Sequence, residues 1–216
     1  MARRPREQQS LRRRKPARQA YPYVLIVCEG SSTEPNYLWD LVSDLQLSST
    51  NVHITGEGGS APISVVDDAI KLFEADPEFD RVYCVFDKDR HASYDAARNK
   101  LRQHTLRRQV DGRRAGTAQF QDVVSVPCFE YWVLLHFEYT TAPFGRCRAV
   151  IDRLKRHPGM AAYEKGDAGL YQRIKPDMDQ AMERAARAKA EADAAGTDDP
   201  LTEIHELVRD LRALKN

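Results

Sequence analysis

The sequence lacks an apolar run long enough to cross a membrane, although 42% of its 216 residues are hydrophobic. Its first apolar stretch, residues 24–28, stops at Glu29 and is too short for the core of a signal peptide. The cysteines stand far apart and form no Cys-x-x-Cys pair, so neither a disulfide framework nor a zinc site is indicated. We therefore expect a cytoplasmic protein without membrane association, with buried free thiols at Cys28, Cys84, Cys128 and Cys147.

Acidic residues are scarce in residues 1–20, where Glu7 is the only one. Because the whole chain has a net charge of +1, the remainder is net acidic. A segment with many like charges and little to bury predicts a disordered basic arm over residues 1–20. We expect this arm either to be merely solvated or to contact a nucleic-acid backbone. Its basic residues are Arg3, Arg4, Arg6, Arg12, Arg13, Arg14, Lys15 and Arg18.

Apolar, β-branched runs alternate with helical patterns in residues 21–138. Strands are predicted at 23–28, 51–55, 80–86 and 121–126, with helices between them and a further helix over 128–137. Residues 111–117, rich in Gly and Arg, are expected to form a loop. The alternation predicts an α/β core with a mostly parallel sheet and helices on both faces.

Residues 139–216 show helical patterns and no predicted strand. Helices are expected at 148–156, 178–195 and 201–214, and the last has one apolar face. We interpret this region as a helical cap packed on the core. The aromatic rings of Trp39 and Trp132 are expected in the hydrophobic core.

Three carboxylates follow predicted strands. Glu29 comes directly after the first strand, and Asp87 and Asp89 follow the strand that ends at Phe86. Ligands of open α/β sheets bind at the carboxyl ends of the strands. Clustered carboxylates repel one another and need a cation, and Mg²⁺ prefers oxygen ligands. The alternative is that Asp87 or Asp89 caps the helix predicted from about Ser93.

Glu-Gly after a first strand and Asp-x-Asp after a later one resemble the Toprim signature of topoisomerases, bacterial primases and overcoming-lysogenization nucleases. Residues 27–37, 85–91 and 126–137 together look like the RloB-like family, and residues 199–208 resemble its C-terminal helix. The resemblance covers nearly the whole chain except the basic arm. It implies a Toprim-like, Rossmann-like sheet with a C-terminal helical cap.

The resemblance also implies an activity, which is that of an endonuclease dependent on Mg²⁺ (or Mn²⁺) that hydrolyses phosphodiester bonds of RNA or DNA. Asp87 and Asp89 would hold the metal, and Glu29 would bind metal or act as a general acid or base. Glu34 and Glu130 are the candidates for a second metal, at spacings that depart from those of the overcoming-lysogenization nucleases. Lys88, Arg90 and His91 would contact the scissile phosphate.

The family resemblance further implies a role as an effector in bacterial phage defence and abortive infection, with an AAA or ABC-like ATPase partner. The alternative is a non-catalytic, Toprim-like binding subunit that docks on the ATPase or on nucleic acid. A topoisomerase or primase is disfavoured because the chain has no candidate for a transesterification domain.

Overall fold

A computed structural model describes residues 22–48, 51–56 and 59–214 of the protein. The arm predicted over residues 1–20, including Arg12, Arg13, Arg14 and Lys15, lies outside the described residues. The strands in chain order are β1 (Val24–Cys28), β2 (Val52–Thr55), β3 (Arg81–Asp87), β4 (Arg107–Val110), β5 (Arg113–Thr117), β6 (Gln119–Val126) and β7 (Leu201–Thr202). The helices are α1 (Thr33–Asp44), α2 (Pro62–Ala75), α3 (Tyr94–Gln103), α4 (Glu130–Leu134), α5 (Cys147–Leu154), α6 (Leu170–Ile174), α7 (Met178–Ala195) and α8 (Ile204–Ala213).

The main sheet has five strands in the order β2-β1-β3-β6-β7. The first four are parallel, and β7 pairs antiparallel with β6 at one edge. The fold is therefore the predicted α/β class, with a mostly parallel sheet flanked by helices. Because β1 and β3 are parallel neighbours, their carboxyl ends lie side by side.

Strand β1 lies inside the sheet, between β2 and β3, and its sequence is apolar at every position. All five of its residues are buried, as expected for a strand covered on both faces. Its alternate side chains enter two different clusters, Leu25 and Val27 on one face and Val24, Ile26 and Cys28 on the other. Each face of the sheet therefore has its own hydrophobic core.

The two cores differ in the helices that cover them. Apolar residues of α2 and α3 pack on the face that carries Leu25 and Val27. Helices α1, α4, α5, α6, α7 and α8 contribute to the larger core on the other face. The C-terminal helices thus share a core with β1 and α1, and they reach the carboxyl end of the sheet.

Helix α7 coincides with the predicted range 178–195. Its buried positions include Ala181, Ala185 and Ala188, whose small side chains allow close helix packing. The helix ends at Gly196, which adopts the left-handed conformation (φ 65°) that glycine tolerates best. No helix in the described residues has both the length and the apolarity that a membrane crossing requires.

Three predictions of local structure were wrong. Residues 111–117 are not a loop: Asp111-Gly112, both at positive φ, form the turn of the β4–β5 hairpin, a hairpin signal that the Arg-rich context obscured. The region after residue 140 does contain a strand, since Leu201 and Thr202 pair with β6 before α8 begins. Trp132 is fully buried, but Trp39 lies on the outer face of α1 and is 42% exposed.

The cysteine prediction was also wrong in part. Cys28 and Cys84 are buried free thiols, as expected. Cys128 and Cys147 instead form a disulfide, with Cα atoms 5.4 Å apart. Their 19-residue separation in sequence gave no indication of pairing, because the contact depends on how α5 packs beside α4.

Candidate active site

The carboxyl ends of β1 and β3 border a cavity of about 300 Å³. Glu29 follows β1, and Asp87 is the last residue of β3. Parallel pairing aligns the two strands up to Cys28 and Val85, so the acids that follow are brought to the same edge. The cavity is lined by Glu29, Gly30, Ser31, Ser32, Thr33, Glu34, Ser60, Asp87, Asp89, His91 and Lys165.

The Glu29 carboxylate is held by two contacts. Its Oε2 accepts a hydrogen bond from the backbone N–H of Asp87 at 3.1 Å. Its Oε1 lies 3.0 Å from Nε2 of His91. Glu29 is thereby oriented between the end of β3 and the turn that follows it.

The segment Asp87–His91 forms a tight turn fixed by backbone hydrogen bonds. The N–H of Lys88 donates to the Ser125 carbonyl at 2.9 Å, and the N–H of Asp89 donates to the Pro127 carbonyl at 3.0 Å. Asp89 has a positive φ of 28°, a backbone conformation that Asp accepts more readily than most residues. The turn places both Asp87 and Asp89 at the cavity.

Neither Asp87 nor Asp89 caps the following helix. The residue before α3 is Ser93, and no side chain makes a capping hydrogen bond there. The capping interpretation of the two acids therefore has no support in the geometry.

Glu34 belongs to the first turn of α1 and faces the same cavity. Burial raises its pKa from 4.5 to about 7, and the negative charges of Glu130 and Glu29 add to the effect. The Glu34 carboxyl is therefore partly protonated near neutral pH when no cation is bound.

Asp87 is affected in the same direction. Burial raises the pKa of its carboxyl well above the usual range, and the charges of Glu34 and Glu130 raise it further. The side chain keeps some solvent contact through the cavity, but most of its surroundings are protein atoms. Glu34 and Asp87 thus lie near each other without enough positive charge around them to offset both carboxylates.

Lys165 supplies the cavity with a cation from the C-terminal region. Its loop is fixed against α1 because the N–H of Gly166 donates to Oγ1 of Thr33 at 2.8 Å. Burial by itself lowers the pKa of the Lys165 amine, but Glu130, Asp87 and Glu34 together raise it above its ordinary value. Lys165 could not be identified from the sequence, since a single lysine in a loop carries no motif.

Glu130 lies behind the cavity and does not line it. Its side chain is 1% exposed, and Oε1 accepts a hydrogen bond from the Tyr163 hydroxyl at 3.1 Å. Its Oε2 lies 3.6 Å from Nζ of Lys165 and 3.2 Å from Sγ of Cys147. Glu130 therefore acts on the other acids through its charge and through Lys165.

The loop after β2 closes one side of the site. The N–H of Gly30 donates to the Gly59 carbonyl at 3.2 Å, and Ser60 lines the cavity. A Cβ at Gly56 would lie 2.4 Å from the Gly30 carbonyl oxygen, so only glycine allows this close approach.

Two of the predicted phosphate contacts lie outside the cavity lining. Nζ of Lys88 pairs with Asp198 at 2.5 Å and lies over the Tyr94 ring, 5.4 Å from its centroid. Arg90 is exposed and does not line the cavity. His91 alone of the three predicted contacts is at the cavity wall.

The donor set fits a hydrated divalent cation. Among the described residues, four carboxylates line the cavity, namely Glu29, Glu34, Asp87 and Asp89, and they offer only oxygen ligands. In the described residues, the one cluster whose three ligand atoms all lie within 4.8 Å of one another is Cys128, Glu130 and Cys147. The cavity acids form no such cluster, so their fit to Mg²⁺ rests on their oxygen donors and on the waters that this ion keeps.

Comparison with known proteins gives one match. A family model described as RloB-like protein matches residues 24–211, a range that contains the whole main sheet and the residues that line the cavity. Neither the curated proteins nor the solved structures contain a match to the chain.

Proposed function

The chain belongs to the RloB-like family, and on that premise we propose that it is a Mg²⁺-dependent nuclease of the Toprim type that hydrolyses phosphodiester bonds of RNA or DNA. The observation that carries the proposal is the group of four acids at one cavity, two of which have raised pKa values. A purely structural cluster would be expected to pair such acids with cations. Of the described residues that line this cavity, only Lys165 and His91 are basic.

We assign the proposed metal to Asp87, Asp89 and Glu34, which line the same cavity. Asp87 and Asp89 come from one turn, and Glu34 approaches from the first turn of α1. Bound Mg²⁺ would supply a Lewis acid for the phosphate and a water of lowered pKa. Binding a cation would also ionise Glu34 and Asp87 fully, which removes the penalty that burial imposes on their charged forms.

Glu29 and His91 form the acid–base part of the proposed site. Because Oε2 of Glu29 is occupied by the Asp87 N–H, its Oε1 is directed toward Nε2 of His91. A carboxylate that holds an imidazole in this way fixes the ring orientation and favours a proton on Nε2. We propose that His91, so oriented, positions or exchanges a proton on the reacting phosphate ester.

Lys165 completes the site as the phosphate-binding cation. Its side chain is 54% exposed, so the amine can reach a ligand that enters the cavity from solvent. The same amine offsets part of the negative charge of Asp87 and Glu34 when no substrate is bound. A cation of this kind stabilises negative charge that develops on the phosphate during hydrolysis.

The proposed role in phage defence, including abortive infection, and the proposed AAA or ABC-like ATPase partner rest on the family resemblance alone. A cytoplasmic location is proposed on the same basis. Nucleic acid is the proposed substrate because a site with a metal ion and a lysine would bind the phosphates of its backbone.

The decisive test is a cleavage assay on purified protein with total RNA and with plasmid DNA, with and without the ATPase partner. We expect cleavage in Mg²⁺ or Mn²⁺ and none in EDTA. The Asp87→Asn, Asp89→Asn double variant is the negative control and should not cleave. Binding of nucleic acid without cleavage under every condition would overturn the nuclease proposal in favour of a non-catalytic binding subunit.

A further inference from the structure

A cysteine pair lies directly behind the candidate site. Cys128 immediately precedes the turn into α4, and Cys147 is the first residue of α5. The disulfide joins the segment that leads into Glu130 and α4 to the start of α5. Both residues are buried, and Cys147, at 8% exposure, is the more accessible of the two.

The pair is two contacts away from the cavity. Sγ of Cys147 lies 3.2 Å from Oε2 of Glu130, and the same oxygen lies 3.6 Å from Nζ of Lys165. Lys165 in turn lines the cavity beside Asp87 and Glu34. A change at the sulfur therefore acts on the oxygen that holds the site's lysine.

We propose that Cys128 and Cys147 are a reversible thiol–disulfide site whose oxidation state sets how tightly Glu130 holds Lys165. In the disulfide, which is the form in the structure, the sulfur has no proton to donate, and Lys165 lies 3.6 Å from Oε2 of Glu130. Reduction to two thiols would give Cys147 an S–H 3.2 Å from that oxygen, which would donate a hydrogen bond to it and compete with Lys165. Disulfides of proteins in reducing compartments are usually of this transient kind.

The oxidation is a thiol–disulfide exchange with a small-molecule disulfide such as oxidised glutathione. The Cys147 thiolate attacks one sulfur of the reagent, which forms a mixed disulfide and releases one thiol. The Cys128 thiolate then attacks the Cys147 sulfur, which forms the intramolecular bond and releases the second thiol. Both cysteine protons end on the two released thiols, and excess dithiol reductant reverses both steps.

In the oxidised form, which the structure shows, Lys165 lies 3.6 Å from Glu130 while it lines the cavity, and reduction should release it further into the cavity. The consequence for catalysis rests on the proposed nuclease function, because it assumes that Lys165 binds phosphate. The position of Lys165 itself does not depend on that function. We therefore choose a measurement on the lysine, which needs neither metal nor substrate.

The experiment measures the rate at which an amine-reactive acylating reagent modifies Lys165 in the intact protein. One sample is equilibrated with oxidised glutathione and the other with dithiothreitol, and peptide mass spectrometry reports both the acylation and the thiol state. Exposed Lys71 on α2, which packs on the opposite face of the sheet, is the internal reference. We expect Lys165 to react at least about threefold more slowly in the oxidised sample, because an amine held by a carboxylate is a poorer nucleophile.

Variants separate the cysteine pair from other effects of the two buffers. Cys128→Ala keeps the Cys147 thiol but cannot form the bond, so Lys165 should react at the faster rate in both buffers. Cys84→Ala, at a free buried cysteine, should retain the wild-type difference. The wild-type comparison carries the test by itself if a variant fails to fold.

Two results would overturn the proposal: a pair that does not change its thiol state between the two buffers, or equal Lys165 reactivity when it does. Metal titration of the same two samples separates this inference from the nuclease proposal. A redox-dependent Lys165 in a protein that binds no Mg²⁺ or Mn²⁺ would refute the nuclease and leave the thiol–disulfide site standing.

Discussion

The backbone N–H of Asp87 donates a hydrogen bond to Oε2 of Glu29, at 3.1 Å, across the carboxyl ends of β3 and β1. The bond joins the two acid-bearing turns to each other and leaves Oε1 of Glu29 for His91. The relative position of the two acids is therefore set by neighbouring strands of a rigid sheet. Sites built on such elements hold their geometry better than sites built on loops alone.

The first prediction concerns Asp87 and Asp89. Asp87→Asn and Asp89→Asn keep side-chain size but remove an anionic ligand, so each should lower Mg²⁺-dependent cleavage about 100-fold or more. Even residues that merely support metal ligands are worth roughly 10- to 100-fold. Cleavage rate in saturating Mg²⁺ is the measurement.

Stability separates loss of metal binding from loss of fold in these variants. Without metal, Asp87→Asn removes a carboxyl whose charged form is disfavoured by burial and by Glu34 and Glu130. Its melting temperature should therefore equal or exceed that of the wild type. Asp95→Asn, on the exposed first turn of α3, is the matched control and should leave both quantities unchanged. Full activity in the Asp87→Asn, Asp89→Asn double variant would contradict the nuclease proposal.

The second prediction is a pH dependence that arises from Glu34. Its pKa is about 7 in the folded protein against 4.5 for an unperturbed carboxyl, so the unfolded state loses its proton first as the pH rises. Stability without metal should therefore fall between about pH 4.5 and 7 and stay low above that range. Saturating Mg²⁺ should oppose this fall by favouring the ionised form.

Glu34→Gln tests that dependence directly. At pH 8 without metal, the variant should have a higher free energy of unfolding than the wild type, by about 3 kcal/mol. The difference should shrink toward pH 5, where the folded wild type keeps the proton on Glu34 and the pH approaches the unfolded-state pKa of 4.5. Chemical denaturation at both pH values is the measurement, and an equal difference at the two would show that the charge is not the cause.

The sheet could be predicted from sequence, but the full cavity could not. Apolar runs ending at Cys28 and Phe86 indicated parallel strands, and parallel strands bring the following acids to one edge. Lys165 enters through the packing of a loop against Thr33, a long-range contact with no local signal. The disulfide between Cys128 and Cys147 was missed for the same reason, since it depends on the packing of two short helices.

The predicted phosphate contacts show a second limit of sequence reasoning. Lys88 lies between the two acids in sequence, but an extended or turning backbone sends adjacent side chains in different directions. Its amine consequently pairs with Asp198, and His91, three residues further on, reaches the cavity instead. Proximity in sequence predicted the turn and not the direction of each side chain in it.

The third prediction concerns the basic arm. If residues 1–20 contact a nucleic-acid backbone, deleting them should weaken binding and flatten its dependence on salt. The slope of log affinity against log salt should lose up to about 0.9 for each phosphate contact removed. A full-length variant with the arm's arginines and lysine replaced by Gln separates charge from chain length. An unchanged slope would assign nucleic-acid binding to the rest of the chain.

The fourth prediction distinguishes Glu130 from the acids that line the cavity. Because Glu130 is buried behind Lys165, Glu130→Gln should leave the number of bound Mg²⁺ or Mn²⁺ ions unchanged. It should also lower the pKa of Glu34, since one source of negative charge is removed. Calorimetric titration with Mn²⁺ measures the stoichiometry. Loss of one bound ion would instead make Glu130 a ligand of a second metal.

The last prediction concerns Lys165, the cation that the C-terminal region contributes to the site. Lys165→Gln removes the positive charge that offsets Asp87 and Glu34, so metal affinity should stay the same or increase. Cleavage should nevertheless fall about 100-fold, because the variant loses a charge that stabilises the phosphate in the transition state. Opposite changes in metal affinity and cleavage would be difficult to obtain from a folding defect, which weakens both. Lys155→Gln, at an exposed lysine just after α5, is the matched control and should change neither. Calorimetry with Mn²⁺ and single-turnover cleavage at saturating metal are the measurements, and unchanged cleavage would limit Lys165 to balancing the charge of the acids.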